Sequence, residues 1–122
     1  MPHISKKRLE PQVLKQILYF FKAIMADLQK EEEVAAFLDS LLTNTEKLML
    51  AKRLAMVVLI LEGVSDSKIV ESLKTTHATV EKMKLMLDKT MGGYQVGLKK
   101  LRTRENWRKL KSALLSLVDS TF

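Results

Sequence analysis

The uninterrupted apolar run Leu54–Leu61 (LAMVVLIL) is the feature of the sequence that most restricts the fold. Its valines and isoleucine are also typical of a buried strand. The flanking residues favour a helix, because the segment TNTE at 43–46 has the form of a capping box and Gly63 commonly follows a helix C-terminus. A helix that is apolar all round needs neighbours on every side. We therefore expect a central helix over 44–62 that is easier to bury in a dimer than in one chain of this length.

The rest of the chain also indicates helices. It has two prolines and four glycines in 122 residues, and no segment sustains the alternation of apolar and polar residues that marks a half-buried strand. Pro11 suits the first turn of a helix that reaches about Lys30. Glu31–Leu42 predicts a shorter helix with an acidic first turn. The expected fold class is all-α.

The first of these helices is apolar on more than one side. Its stripe comprises Leu14, Ile17, Leu18, Phe21, Met25 and Leu28, and it is widened by Val13, Phe20 and Ile24. The helices at 11–30 and 44–62 together present more apolar surface than one subunit of this length covers. We therefore expect an obligate homodimer.

Charge is distributed unevenly along the chain. There are 21 lysine and arginine residues against 14 acidic residues, which gives a net charge of +7. From Lys82 to Lys111 the acidic residues are only Asp88 and Glu105, whereas basic residues are frequent. This positive field favours a polyanionic partner, either nucleic acid or an anionic membrane surface.

Several classes of protein are disfavoured by what the sequence lacks. Without cysteine there can be no disulfide and no thiolate metal site, which fits a reducing compartment. The first residues, MPHISKKRLEP, lack the apolar run of a signal peptide, and the longest apolar run is too short to span a bilayer. We expect a soluble, cytoplasmic protein with no membrane partner.

The stretch at 63–87 predicts two helices joined by a short turn. Ser65 is a favourable N-cap for the first, which is little more than two turns long, and Thr76 is the expected N-cap of the second. The residues that fall on one apolar face of the second helix are Val80, Met83 and Leu87. On a basic chain this pattern is typical of a helix-turn-helix, here at 65–88, whose second helix lies in the DNA major groove. The alternative is an ordinary antiparallel helix pair.

Beyond this pair, Met91–Tyr94 (MGGY) predicts the end of the second helix, since each glycine disfavours a helix by roughly 1 kcal/mol. A short helix at 94–101 and a final amphipathic helix at about 105–119 are expected to follow. In the final helix, the inward residues would be Trp107, Leu110, Leu114, Leu115 and Val118, and the outward ones Arg108, Lys109 and Lys111. The expected division is a helical domain at 1–103 and a C-terminal helical extension at 104–122.

Residues 42–84 (LTNTEKLMLAKRLAMVVLILEGVSDSKIVESLKTTHATVEKMK) resemble the core of the Trp repressor family. The matching features are Leu42-Thr43 followed by Glu46, Arg53 in a long apolar helix, Gly63, Ser65 and Ala78-Thr79-Val80. The similarity covers roughly residues 10 to 101, and the Gly-Gly-Tyr segment is closer to Trp-repressor-related bacterial proteins than to the repressor. The resemblance implies an intertwined homodimer with a helix-turn-helix on each subunit, which binds double-stranded DNA and regulates bacterial transcription.

The resemblance also implies three sets of site residues. Those placed at base edges are His77, Ala78 and Glu81. Those placed near phosphates are Ser67, Lys82 and Lys84. Those that would line an effector pocket are Thr43, Arg53 and Thr79. The residue types suit the first two sets, because histidine and glutamate can bond base edges, alanine can touch a thymine methyl group and lysine neutralises phosphate.

Each base-edge residue also has a simpler explanation. His77 can help to cap its helix, Ala78 can serve packing, and Glu81 can be a solvated residue paired with a neighbouring lysine. The turn departs from the family as well, because Lys74 stands where glycine is usual. We expect either a left-handed residue at that position, at a cost of about 1–2 kcal/mol, or a different turn.

The corepressor pocket of the family is altered in this chain. Two arginines of the repressor flank the indole of tryptophan; Arg53 matches the first, but Lys82 stands in place of the second. Met83 and Met86 occupy positions that need glycine and serine. Lysine is not a planar stacking partner, so L-tryptophan is not expected to be the corepressor. Arg53 would then be a surface charge or pair with an acid such as Glu46 or Glu62.

Two other classes of function compete with DNA binding. A basic protein- or membrane-surface-binding module could use the last helix, where Trp107 is flanked by basic residues, although that helix is short and its apolar residues fit a core. An enzyme is not expected, because His3 and His77 are far apart in sequence and no catalytic constellation is present. No metal or cofactor is expected either, since the methionines fit a core.

Overall fold

A computed structural model describes the backbone of residues 8–121 and the side chains of residues 8–118. Within the described backbone the chain is all-α, with six helices and no strands. The helices are α1 (Pro11–Asp27), α2 (Glu31–Leu41), α3 (Asn44–Leu61), α4 (Asp66–Leu73), α5 (His77–Arg102) and α6 (Trp107–Thr121). The contacts divide the chain between Asn44 and Thr45 into an N-terminal unit and a C-terminal unit. None of the described helices has the length and apolar character needed to cross a membrane.

The N-terminal unit is formed by α1 and α2. Pro11 lies at the start of α1, where its missing N–H group would have had no partner within the helix. The helix ends at Asp27, a little earlier than the expected end near Lys30. At the start of α2 the Glu33 carboxylate accepts hydrogen bonds from the backbone N–H groups of Gln29 and Lys30, both at 3.2 Å. These bonds and the acidic first turn fix where α2 begins.

Neither helix of the N-terminal unit contains a buried residue in a single copy of the chain. Most of the predicted stripe of α1 is exposed: Ile17 retains 49% and Phe20 67% of its accessible surface. Other exposed residues of α1 are Val13, Leu14, Leu18, Phe21 and Met25. Contiguous apolar surface of this kind normally marks an interface with another protein element.

The C-terminal unit has a compact apolar core. Its buried residues come from α3, α4, α5 and α6, and they are Met56, Val57, Leu59, Ile69, Val80, Met83, Leu87 and Val118. The predicted end of α3 is confirmed, because Gly63 has a φ of +77° and donates its N–H to Ile60, while Val64 donates to Leu59, both at 3.1 Å. In one copy of the chain α3 is only partly covered, since Leu54 is 56% exposed. Its coverage in a dimer stays a prediction.

The predicted helix break at Met91–Tyr94 is wrong. Helix α5 runs without interruption to Arg102, so the short helix expected at 94–101 is its last part. Glycine keeps both backbone hydrogen-bonding groups, and its cost of roughly 1 kcal/mol per residue can be offset by packing. Met91, Tyr94 and Leu98 supply that packing, because all three lie against the core. At 1.5 Å per residue, α5 is about 39 Å long.

Helix α6 packs against α4 within the C-terminal unit. Val118 is buried as expected, whereas Leu110 is 42% exposed, so its predicted inward position is wrong. Lys111 was expected to face outward, but its ammonium group lies 2.9 Å from the Glu62 carboxylate and only 35% of its side chain is exposed. This pair joins α6 to the end of α3.

Candidate nucleic-acid interface

Helix α4 begins and packs as the sequence predicts. The Ser65 hydroxyl accepts a hydrogen bond from the backbone N–H of Lys68 at 3.4 Å, which confirms Ser65 as the N-cap. Asp66 lies in the first turn, where its charge is favourable for the helix dipole. Ile69 has no accessible surface. The buried Ile69 therefore fixes which face of this short helix is turned to solvent.

The turn after α4 is built on Lys74. This residue has φ 54° and ψ 54°, and it is the one non-glycine residue with a positive φ in the described part of the chain. Lys74 donates its backbone N–H to the Val70 carbonyl as in a regular helix, and its left-handed conformation lets Thr75 donate to the same carbonyl. One of the two expectations for this turn is thus confirmed, at a cost of about 1–2 kcal/mol for a residue with a Cβ. Only residues 74–76 separate α4 from α5.

The first turns of α5 are fixed by a cap and by three buried side chains. The Thr76 hydroxyl accepts from the Thr79 backbone N–H at 3.2 Å, and the two hydroxyl oxygens are 2.9 Å apart. The residues that turn inward are the predicted Val80, Met83 and Leu87, which are 0%, 9% and 6% exposed. Helical geometry then places the intervening side chains on the solvent side.

The residues proposed to contact bases are all exposed at this end of α5. His77 begins the helix, Ala78 follows it, and Glu81 lies one turn further along. Glu81 forms no ion pair with any residue that the structure describes. The pairing of Glu81 with a neighbouring lysine, left open by the sequence, is therefore not formed here.

The residues proposed to contact phosphates differ in whether their side chains already have a partner in the protein. Ser67 is exposed on α4, and Lys82 is exposed on α5. The ammonium group of Lys84 instead pairs with the Asp66 carboxylate at the start of α4. This contact joins residues 18 positions apart in the sequence, so local spacing does not reveal it. It ties α5 to α4 and partly neutralises Lys84.

The residues assigned to an effector pocket are exposed and are not all in one unit. Thr43 belongs to the N-terminal unit, whereas Arg53 and Thr79 belong to the C-terminal unit. Thr79 takes part in the cap of α5. Within the described residues Arg53 forms no ion pair, and the Glu62 carboxylate is bound by Lys111 instead. Arg53 is thus a charge on the surface of α3.

Sequence reasoning missed an apolar groove of about 490 Å³ in the C-terminal unit. It lies between α3, the second half of α5 and α6, and its lining includes Leu54, Val58, Gly93, Gly97, Tyr94 and Trp107. The groove could not be predicted from the sequence, because it depends on the path of α5 beyond Gly92, where a break was expected. No group of acidic or histidine side chains able to hold a metal ion occurs among the described residues.

The arrangement of α4 and α5 is similar to that of one class of protein. A short helix and a longer one are joined by a three-residue turn, their apolar faces meet in one core, and the second helix begins with exposed polar side chains. DNA-binding proteins of the helix-turn-helix type present their second helix to the major groove in this way.

Comparison with known families gives the same class. The family model described as Trp repressor protein matches residues 15–102. The chain belongs to the Trp repressor family, which is a family of DNA-binding regulators and not of enzymes. The match includes all of α4 and α5, whereas α6 lies outside it. The other comparisons found no similar curated protein and no similar solved structure.

Proposed function

We propose that this protein is a sequence-specific transcriptional regulator of the bacterial cytoplasm that binds DNA as a homodimer through residues 65–88. The observation that carries the proposal is the exposed polar face at the start of α5, which is held in place by the Thr76 cap and the buried Val80. In helix-turn-helix proteins, the N-terminal residues of the second helix are those that contact base edges. The family of the chain supports the same partner.

His77, Ala78 and Glu81 would read the bases. Histidine can donate or accept a hydrogen bond, and the alanine methyl group can contact thymine. Glu81 is the most informative of the three, because phosphates repel its charge. A carboxylate at this position is favourable in the complex when it accepts a hydrogen bond from the amino group of cytosine.

Ser67, Lys82 and Lys84 would bind the phosphate backbone. Each phosphate neutralised by a cation adds to affinity by releasing counterions. Lys82 carries a charge that is unpaired among the described residues, whereas the ammonium group of Lys84 forms an ion pair with Asp66. Lys82 is therefore expected to contribute more to DNA affinity than Lys84.

The proposed dimer rests on the exposed stripe of α1. A second copy of the same chain carries the same exposed stripe. A two-fold dimer would bury the stripes of both subunits against each other. It would also present two copies of α5 to DNA, so the bound site would be a two-fold symmetric pair of half-sites. In this proposal residues 1–103 form the DNA-binding domain and 104–122 an extension of it.

L-tryptophan is not the corepressor in this proposal. Met83 is 9% exposed and belongs to the core, so its side chain fills space that an indole would need. Lys82 provides a point charge and not the planar surface on which an aromatic ring stacks. Any effector that uses Thr43, Arg53 or Thr79 would therefore have a different chemistry.

The experiment that tests the proposal is selection of bound duplexes from a random pool, followed by sequencing. We expect enrichment of a two-fold symmetric site. Binding without any enriched sequence would contradict sequence-specific regulation, and it would favour a basic module that binds polyanions or membranes without specificity.

Glu81→Ala should change the selected site at one position in each half-site. If Glu81 reads a base, its loss relaxes the preference there by about 1–3 kcal/mol. Glu32→Ala on α2 is the matched control, and its selected site should equal that of the unmodified protein. Equal tightening of binding to every sequence by Glu81→Ala would show that the carboxylate only repels the backbone, and it would remove Glu81 from base recognition.

A further inference from the structure

The far end of α5 carries a second group of exposed cations. We name Lys99, Lys100 and Arg102, in the last turn of the helix, the distal basic cluster. All three are exposed, and none forms an ion pair with another residue in the part of the chain that the structure describes. Cations at a helix C-terminus interact favourably with the helix dipole. Three unpaired cations in one turn also create a local positive potential that attracts an anionic partner.

The distal basic cluster lies on the same side of α5 as the proposed DNA-contacting residues. An α-helix completes five turns in 18 residues, so residues 18 apart project in the same direction. The cluster repeats at this interval the positions of Glu81, Lys82 and Lys84. The opposite side of the helix is occupied, because Tyr94 and Leu98 pack against the core as Val80 and Leu87 do. One continuous helix therefore presents two polar sites in one direction.

The two sites are separate and do not form one continuous strip of charge. Between them the same side of α5 carries the exposed Lys89 beside the oppositely charged Asp88, and the exposed apolar residues Leu85 and Val96. Their separation along the helix is about 27 Å, from 18 residues at 1.5 Å each. The major groove is about 12 Å wide. When α5 enters this groove by its first turns and does not follow it lengthwise, the distal basic cluster lies outside the groove.

We propose that the distal basic cluster binds phosphates of the same DNA duplex, outside the groove that the start of α5 enters. This inference rests on the proposed function, since it takes the start of α5 as the base-reading end. It depends on the continuity of α5 through Gly92 and Gly93, because a break there would separate the directions of the two sites. The expected contribution is one of affinity and not of sequence preference, because phosphates are the same at every base pair.

The test is the salt dependence of binding to a random-sequence duplex of 40 base pairs. Removing two phosphate contacts should make the negative slope of log K against log salt less steep by about 1.8, at about 0.9 per contact. We expect this change in Lys99→Ala/Lys100→Ala, and the slope of the unmodified protein in Lys99→Arg/Lys100→Arg. The matched control, Lys15→Ala/Lys22→Ala on α1, removes the same charge and should leave the slope unchanged. Circular dichroism checks that helix content is equal in all variants.

A further variant, Lys82→Ala/Lys84→Ala, separates the two proposals. If it makes the slope less steep and Lys99→Ala/Lys100→Ala does not, the distal contact is overturned and the proposed function stands. If neither makes the slope less steep, the proposed function fails together with the inference. A change of the same size in Lys15→Ala/Lys22→Ala would show an effect of net charge alone and would also overturn the distal contact.

Discussion

The chain contains two pairs of amphipathic helices, and they differ in whether their apolar faces are buried in one copy of the chain. In one copy of the chain α1 and α2 bury no residue, whereas α4 and α5 bury Ile69 and Val80 completely. The polar face of the second pair is fixed within one copy of the chain by its own buried residues and by the Thr76 cap. The first pair leaves its apolar stripe exposed in one copy of the chain. In the proposed function the two pairs have different partners, which are DNA for α4 and α5 and a second subunit for α1 and α2.

Isoleucine-to-alanine substitution in each pair gives the largest predicted effect. Ile69→Ala removes a side chain with no accessible surface and should lower the free energy of unfolding by about 2–5 kcal/mol, because it leaves a cavity. Ile17→Ala removes a side chain that is half exposed in one copy. If the stripe is buried in a dimer, its loss should weaken the dimer by about 1–3 kcal/mol.

Protein concentration distinguishes the two isoleucines. Urea unfolding at two protein concentrations, with light scattering for the oligomeric state, is the measurement. Both substitutions should lower the urea midpoint, but the folded Ile69→Ala protein should still scatter light as a dimer, whereas Ile17→Ala should lose the dimer at the lower protein concentration. A stable monomer of the unmodified protein at micromolar concentration would contradict the assignment of α1 to a second subunit.

A smaller effect is expected at the turn between α4 and α5. Lys74→Gly should raise the free energy of unfolding by about 0.5–1 kcal/mol, since glycine adopts the left-handed conformation without the Cβ clash but loses more entropy on folding. The substitution also removes the ion pair with Glu71, which contributes little to stability. The Lys74 ammonium and the Glu71 carboxylate are 4.0 Å apart, and both side chains are largely exposed. Gly63→Ala is the opposite control, and it should destabilise because Gly63 also has a positive φ. Destabilisation by Lys74→Gly would show that the turn is not strained.

Local signals predicted the parts of the molecule that depend on neighbouring residues. The caps at Ser65 and Thr76 follow from hydroxyl residues placed before amphipathic segments. The inward positions of Val80, Met83 and Leu87 follow from helical spacing alone. The exposure of the residues proposed to face DNA could therefore be predicted from the sequence.

The parts that the sequence did not reveal depend on contacts between distant segments. Helix α5 continues through Gly92 because core packing around Tyr94 offsets the cost of glycine, and no local pattern shows that packing. The ion pair of Lys84 with Asp66 and that of Lys111 with Glu62 each join different helices. Spacing rules within one helix cannot find such pairs.

Amide hydrogen exchange of the full chain, with and without a random-sequence duplex at low salt, tests most directly whether the two helix pairs have different partners. The account predicts that DNA slows exchange in residues 66–84, which include α4 and the start of α5, and leaves α1 unchanged because a second subunit already covers it. Slower exchange in α1 and α2 on addition of DNA, with residues 66–84 unaffected, would contradict it.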